Sequence, residues 1–268
     1  MVQAPTIDYI MDDPREAARL RDKVDPQAWA RKYVAHRVAP GMEVLSVGCG
    51  PGVILGAICD LHPSVRGTGL DLSHERLKEA EHMNRENPNV RFVQGDAQAL
   101  QFPADSFDLV YCRMLLQYLP NKERAVREMV RVCRPGGTVL LQDLDGQLLW
   151  HYPEDAALQR EVEKVVAGLQ STGFDPFAGR KLFWSASRAG LQNIQVQAES
   201  YHLIAGQIGP SERKAWELKL DIATPQIARI LGSEREAQQC AKRFLEFLSR
   251  PDTLTYSTVF TVTGEKAQ

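Results

Sequence analysis

An α/β domain built on a doubly wound, mostly parallel sheet is the fold class this sequence predicts, and three observations predict it. A short apolar, β-branched run, Val44-Leu45-Ser46-Val47, breaks into a glycine loop, Gly48-Cys49-Gly50-Pro51-Gly52, and restarts as a helix. A second such run ends on Asp71, an acidic residue about twenty positions beyond the glycines, where doubly wound sheets grip ribose hydroxyls. Candidate strands then alternate with helical segments, the pattern of a parallel sheet whose ligands sit beyond the C-terminal ends of the strands.

The 268 residues fit one large domain, or one core with a substantial insertion. An apolar fraction of 44% and a charged fraction of 25% are ordinary for a globular chain. Lys and Arg number 32 against 34 for Asp and Glu, so no global positive field gathers phosphates, which argues against a nucleic-acid partner. The five cysteines (Cys49, Cys59, Cys112, Cys133, Cys240) are scattered and lack paired C-x-x-C spacing. They read as reduced thiols of a cytoplasmic protein, with neither a disulfide frame nor a zinc site. No basic segment precedes an apolar one at the N-terminus and no apolar stretch is long enough to span a bilayer, so neither a signal peptide nor a membrane partner is expected.

Taken in order, residues 13–22 and 26–38 read as two helices, the second with Trp29, Tyr33 and Val34 as an apolar stripe. Residues 1–40 fit two roles: packing on the core, or a lid over the glycine loop with Tyr9 and Arg19 facing the ligand. The core is expected over residues 41–145. Its glycine loop brings backbone amides close to a ligand, and Pro51 suits a helix start. The spacing is G-x-G-x-G, with Val53 where a dinucleotide fingerprint has its third glycine. A tight turn with no ligand has the same signature. Residues 65–72 form the second strand, Ser73 caps the helix after it, and residues 90–94 form the third strand, ending at Gly95-Asp96-Ala97. Residues 107–112 are the fourth strand, 122–134 an amphipathic helix stopped by Pro135-Gly136-Gly137, and 138–143 the fifth strand.

Residues 146–268 are expected to complete the core and to carry substrate-side helical insertions at about 148–175 and 205–250. Residues 148–153 leave strand five and 154–169 are helical. Residues 179–188 form the last core helix, 194–203 strand six, and 254–262 a strand seven inserted antiparallel beside it. The helical segments 211–231 and 234–249 lie between strands six and seven and read as a cap over the crevice. Trp150, His151, Trp184 and Tyr201, with Tyr152 and His202, are candidates to line an acceptor pocket. Core packing accounts for Trp184 and Tyr201 equally well. His151 is the candidate base, with a structural histidine as the other reading.

In Val44 to Gly52, Gly69-Leu70-Asp71-Leu72-Ser73, Gly95-Asp96-Ala97, Phe107-Asp108-Leu109-Val110, Leu115 to Leu119 and Cys133-Arg134-Pro135-Gly136-Gly137, the chain resembles the class I S-adenosylmethionine-dependent methyltransferases. Within that family it resembles the small-molecule group of the ubiquinone and menaquinone C-methyltransferases. The resemblance implies a Rossmann-like seven-stranded sheet in the order 3-2-1-4-5-7-6, with helices on both faces. It also implies S-adenosyl-L-methionine as cofactor, with S-adenosyl-L-homocysteine as product. By the same resemblance, Gly48, Cys49, Gly50 and Gly52 pack on the methionine part, Asp71 holds the ribose and Leu72 lies against the adenine. Asp96 accepts from the adenine's exocyclic amine, the Ala97 amide meets a ring nitrogen, and the backbone of Cys112 and Arg113 faces the methionine amino group. Two positions depart from the family: Ser46 stands where an acid is usual, and Gln117 where many relatives have histidine.

Methyl transfer from a sulfonium is an in-line displacement that orientation and water exclusion can accelerate, with a base needed only if the acceptor must lose a proton. No acid follows strand four at Cys112-Arg113-Met114, so no metal is expected, and Asp143 with Asp145 reads as a strand end and turn. The reading is thus an enzyme acting on a small-molecule substrate, as monomer or homodimer. An NAD-dependent oxidoreductase of the same fold and a non-catalytic cofactor-binding protein are the alternatives.

Overall fold

The computed structural model describes residues 24–268. Seven strands form one sheet: β1 (Glu43–Val47), β2 (Arg66–Asp71), β3 (Val90–Gln94), β4 (Phe107–Arg113), β5 (Cys133–Tyr152), β6 (Gln192–Ala205) and β7 (Leu254–Glu265). Their order is β3-β2-β1-β4-β5-β7-β6. Pairing is parallel from β3 through β5, and β7 is antiparallel to both β5 and β6. Sheet and order agree with the expectation.

Helices cover both faces, which is why the central strands read as continuous apolar runs. On β4, Leu109 and Tyr111 point to one face and Val110 and Cys112 to the other, and all four are buried. The first face packs against α1 (Pro26–Tyr33) and α2 (Val53–Cys59) through Trp29, Ala30, Leu55 and Ile58. The second packs against α4 (Lys122–Val132) and α6 (Leu182–Arg188) through Ala125, Val126, Met129, Leu182 and Ala186. Next to β2 lies α3 (His74–Met83), whose N-cap Ser73 accepts from the Arg76 amide at 3.4 Å.

Of the two N-terminal helices, the first and the lid residues Tyr9 and Arg19 lie outside the described residues. The second, α1, is a packing element. Its Asp25 cap accepts from the Ala28 amide at 2.9 Å, and the buried Trp29 Nε1 donates to Gln142 Oε1 at 2.8 Å, which clamps α1 to β5.

The sheet departs from expectation at β5, which does not end near Asp143 but runs on to Tyr152. Its register against β7 shifts between Asp145 and Trp150 and resumes as Trp150↔Tyr256, His151↔Thr255 and Tyr152↔Leu254. Gly146, at φ +70°, sits in that irregularity, so the two-residue alternation that marks a strand is broken and its continuation is hidden from the sequence. Strands β5, β6 and β7 extend beyond the parallel core as a ribbon. On it rests a cap of α5 (Ala156–Ser171), α7 (Pro210–Leu231) and α8 (Glu234–Leu248), with its own core of Leu158, Ile204, Trp216, Phe244, Phe247 and Leu248. Helices α5 and α7 approach closely because Gly168 carries no side chain: a Cβ there would lie 2.4 Å from Ile230 Cγ2.

Candidate active site

Beyond the C-terminal ends of β1, β2 and β4 opens a crevice of about 270 Å³. The loop after β1 forms one wall. Gly48 N and Cys49 N donate to the Leu70 carbonyl at 2.7 and 2.9 Å, which ties the loop to β2. Gly50 stands at φ +53° with nothing within 4 Å of where a Cβ would be, so its missing side chain is room in the crevice rather than room for a neighbour. Its amide donates to Asp71 Oδ2 at 2.9 Å, while Ser73 N donates to Asp71 Oδ1 at 3.0 Å and Arg76 Nη1 lies 3.8 Å from the same oxygen. A carboxylate offers about four acceptor positions and the two amides occupy two of them, so a buried Asp71 still has capacity for two hydroxyls.

The loop after β3 supplies Gly95, Asp96 and Ala97, and Leu72 after β2 is 65% exposed beside them. Asp96 Oδ1 accepts from the Gln98 amide at 2.8 Å, which fixes the carboxylate at the rim. At the end of β4 the Cys112 side chain is fully buried against the core, turned away by the strand's alternation, while the side chains of its neighbours Tyr111 and Arg113 line the crevice. Tyr111 is the register partner of Ser46, and its buried hydroxyl has the Ser46 side chain as its polar neighbour but no well-aligned hydrogen bond. Burial pushes that phenol upward. Arg113 Nη2 donates to Tyr201 Oη at 3.4 Å, while its Nε is buried and unpartnered. Such orphaned groups are costly unless a ligand satisfies them. Together with the open side of Gly50 and the capacity of Asp71, they match the sugar and amino-acid ends of a nucleoside such as S-adenosylmethionine.

Across the floor runs a polar chain. Asp143, fully buried, accepts from Gln117 N at 3.0 Å and Leu144 N at 2.9 Å, and burial raises its carboxyl to about 7. Gln117 Oε1 accepts from Gln147 Nε2 at 3.0 Å, and Gln147 Oε1 accepts from Lys219 Nζ. The Lys219 ammonium also lies 4.4 Å from the centre of the Trp216 ring.

Beneath the cap is a second cavity of about 160 Å³, walled by aliphatic and aromatic side chains of α5, α7 and α8. Tyr118, Gln147 and Lys219 line both cavities. Among the described residues, none of the aromatic candidates from the sequence lines either. Trp150 and His151 lie in the extension of β5, with the His151 ring 4.8 Å from Phe247; its Nδ1 is buried without a partner and burial lowers its basicity. Trp184 is 54% exposed on α6. Tyr201 reaches the site only as the partner of Arg113, and His202 packs between Tyr201 and Trp216. Arg76, Tyr111, Tyr118, Gln147 and Lys219 are among the cavity residues that the sequence does not single out, as are the aliphatic walls of the cap cavity. Among the described residues no group of three or more His, Cys, Asp or Glu side chains is placed to hold a metal, and Asp145 is engaged by Arg180 at 2.6 and 2.7 Å.

Residues 45–141 match the family model described as a methyltransferase domain. The chain is 37% identical over 145 residues to a phosphatidylethanolamine N-methyltransferase of Cereibacter sphaeroides, covering 53% of this chain and 66% of that protein, just under two thirds of its length. It is 33% identical over 180 residues to a ubiquinone biosynthesis O-methyltransferase of Albidiferax ferrireducens, covering 66% of this chain and 67% of that protein. In fold it is similar to the YcgJ protein of Bacillus subtilis, with a TM-score of 0.61 at 21% identity over 91% of this chain and 99% of that one.

Proposed function

The chain belongs to the class I S-adenosylmethionine-dependent methyltransferases, and from that premise we propose that it moves a methyl group onto a small organic acceptor held beneath the helical cap. The dehydrogenase and non-catalytic alternatives fall with that membership. In this reading Asp71 accepts from the two ribose hydroxyls, and Leu72, Asp96 and Ala97 hold the adenine. The loop from Gly48 to Gly52 leaves space for the methionine part, and Tyr111 and Arg113 satisfy their buried polar atoms on its amino and carboxylate groups. The carrying observation is the pair Gly50 and Asp71: an open glycine facing a buried carboxylate with acceptor capacity to spare.

When bound, the cofactor would supply an electrophilic methyl on a sulfonium, with a neutral thioether as the leaving group as the methyl passes to the acceptor. The chain's own contribution is to orient and to exclude water. Orientation alone can supply about 7 to 11 kcal/mol of barrier lowering. The cap and the extended β5 and β7 ribbon are the elements positioned for both. No base is required unless the acceptor must shed a proton, and the Gln117 amide supplies none. The enzyme is proposed to act in the cytoplasm, as monomer or homodimer, without nucleic-acid or membrane partners. No helix among the described residues is long and apolar enough to cross a membrane.

Calorimetric titration with S-adenosylhomocysteine and, separately, NAD tests the assignment. One-to-one binding of the first and no heat from the second is expected; binding of NAD alone would overturn it.

A further inference from the structure

We infer that the cavity inside the cap is the seat of the acceptor's body, and that this body is an uncharged hydrocarbon group about the size of one substituted ring, entering with its polar, methyl-accepting end toward the crevice. The inference rests on the methyl-transfer reading and adds to it a size, a polarity and an orientation. The walls are carbon almost throughout: Val162, Val166 and Leu169 from α5, Ala223 and Ile227 from α7, and Phe244 from α8. Buried apolar walls attract apolar surface at about 25 cal/mol per Å² and penalise any polar atom that finds no partner there. Apart from the Trp216 indole and the weakly bonding Cys240 thiol, the hydrogen-bonding side chains of the lining are Tyr118, Gln147 and Lys219, the three shared with the crevice. A molecule in this cavity therefore has one end where a polar atom is tolerated, and that end faces the cofactor.

Size is set by volume. The cavity holds about 160 Å³, close to the roughly 150 Å³ apolar cavity that takes up benzene. A long chain would have to run out of it into the crevice or solvent. Beside the lining residue Leu169 the helices leave little slack, since Gly168 already lets α5 and α7 approach as near as Ile230 allows.

Binding of 3-phenylpropan-1-ol and its long homologue 12-phenyldodecan-1-ol, followed by ligand-observed NMR and by quenching of the Trp216 fluorescence, tests the proposal in the full chain without turnover. The short alcohol is expected to bind the wild type at least tenfold tighter than it binds Ala223→Leu, which fills the chamber, while the affinity for S-adenosylhomocysteine stays within about twofold. Leu169→Ala, which enlarges the chamber, is expected to shift the preference toward a longer homologue, and it provides the same test should the first variant fail to fold. No binding of the short alcohol, equal binding by Ala223→Leu, or preference of the wild type for the long homologue overturns the proposal. Because S-adenosylhomocysteine binding is read separately in each protein, those results leave the methyl-transfer reading standing.

Discussion

Replacing Asp71 by asparagine isolates what its charge does. The side chain keeps its shape, but one carboxylate oxygen becomes an amide NH₂, and both oxygens now accept backbone amides, from Gly50 at 2.9 Å and Ser73 at 3.0 Å. Whichever way the amide turns, one N–H donor faces another, and the surviving oxygen carries no full charge. Two hydroxyls of the ribose then lose charge-assisted partners in a site that is 5% exposed. At about 1.5 kcal/mol for each weakened bond the loss is about 3 kcal/mol, or roughly a hundredfold in Kd at 1.4 kcal/mol per decade. The Arg76 guanidinium 3.8 Å away also loses its counter-charge, so some thermal stability is lost as well. Calorimetric titration of S-adenosylhomocysteine into wild type and variant measures the ratio directly. A Kd within about threefold of wild type would refute the ribose assignment.

Tyr111→Phe removes a buried hydroxyl whose polar neighbour in the protein is the Ser46 side chain, with no well-aligned hydrogen bond, so the free enzyme is expected to lose no more than about 1 kcal/mol of stability. Its affinity for S-adenosylhomocysteine should fall about tenfold while that for 5′-methylthioadenosine, which lacks the amino-acid end, stays unchanged; equal loss for both ligands would remove Tyr111 from that contact. Asp143 makes stability depend on pH. Its carboxyl is raised from 3.8 to about 7 by burial, so the native state keeps a proton that the unfolded chain has already released. The contribution of Asp143 is therefore full below about pH 4 and is lost as pH rises to about 7, by up to roughly 4 kcal/mol, and urea unfolding of Asp143→Asn relative to wild type should lack that component. Gly168→Val drives a side chain into Ile230, and a cost of about 1 to 3 kcal/mol is expected in denaturant unfolding. Cofactor affinity should be preserved in that variant, because the contact lies in the cap and outside the crevice.

The parallel half of the molecule was legible because burial on both faces leaves an unmistakable record. Val44, Leu45 and Val47, or Leu109 through Cys112, have no polar face to show, and each run ends where loop residues begin. The crevice lining beside β1, β2 and β3 was legible for the same reason, since Gly50, Asp71 and Asp96 lie at the ends of those runs. The far side was not. The bulge around Gly146 hides the continuation of β5, so Trp150 and His151 read as leaving strand five when they are strand residues paired with Tyr256 and Thr255. Choosing Trp184 and Tyr201 by side-chain type ignored which face each presents. The walls of the cap cavity are Val, Leu, Ile and Ala on three helices, and such residues follow the same 3.6-residue pattern whether they meet a neighbour or a void. Cys112 and Tyr111 show how one position decides the matter: on β4 a shift by one residue moves a side chain from crevice to core.

The central claim is a methyl group delivered at the upper ends of β1, β2 and β4 to a molecule under the cap. Incubating the enzyme with methyl-labelled S-adenosylmethionine and a metabolite extract, and following the products by mass spectrometry, tests it most directly. A labelled small molecule heavier than its precursor by one methylene is expected, formed by wild type and lost with Asp71→Asn. Label that stays on the cofactor across the extract, or that appears only on macromolecules, would contradict it.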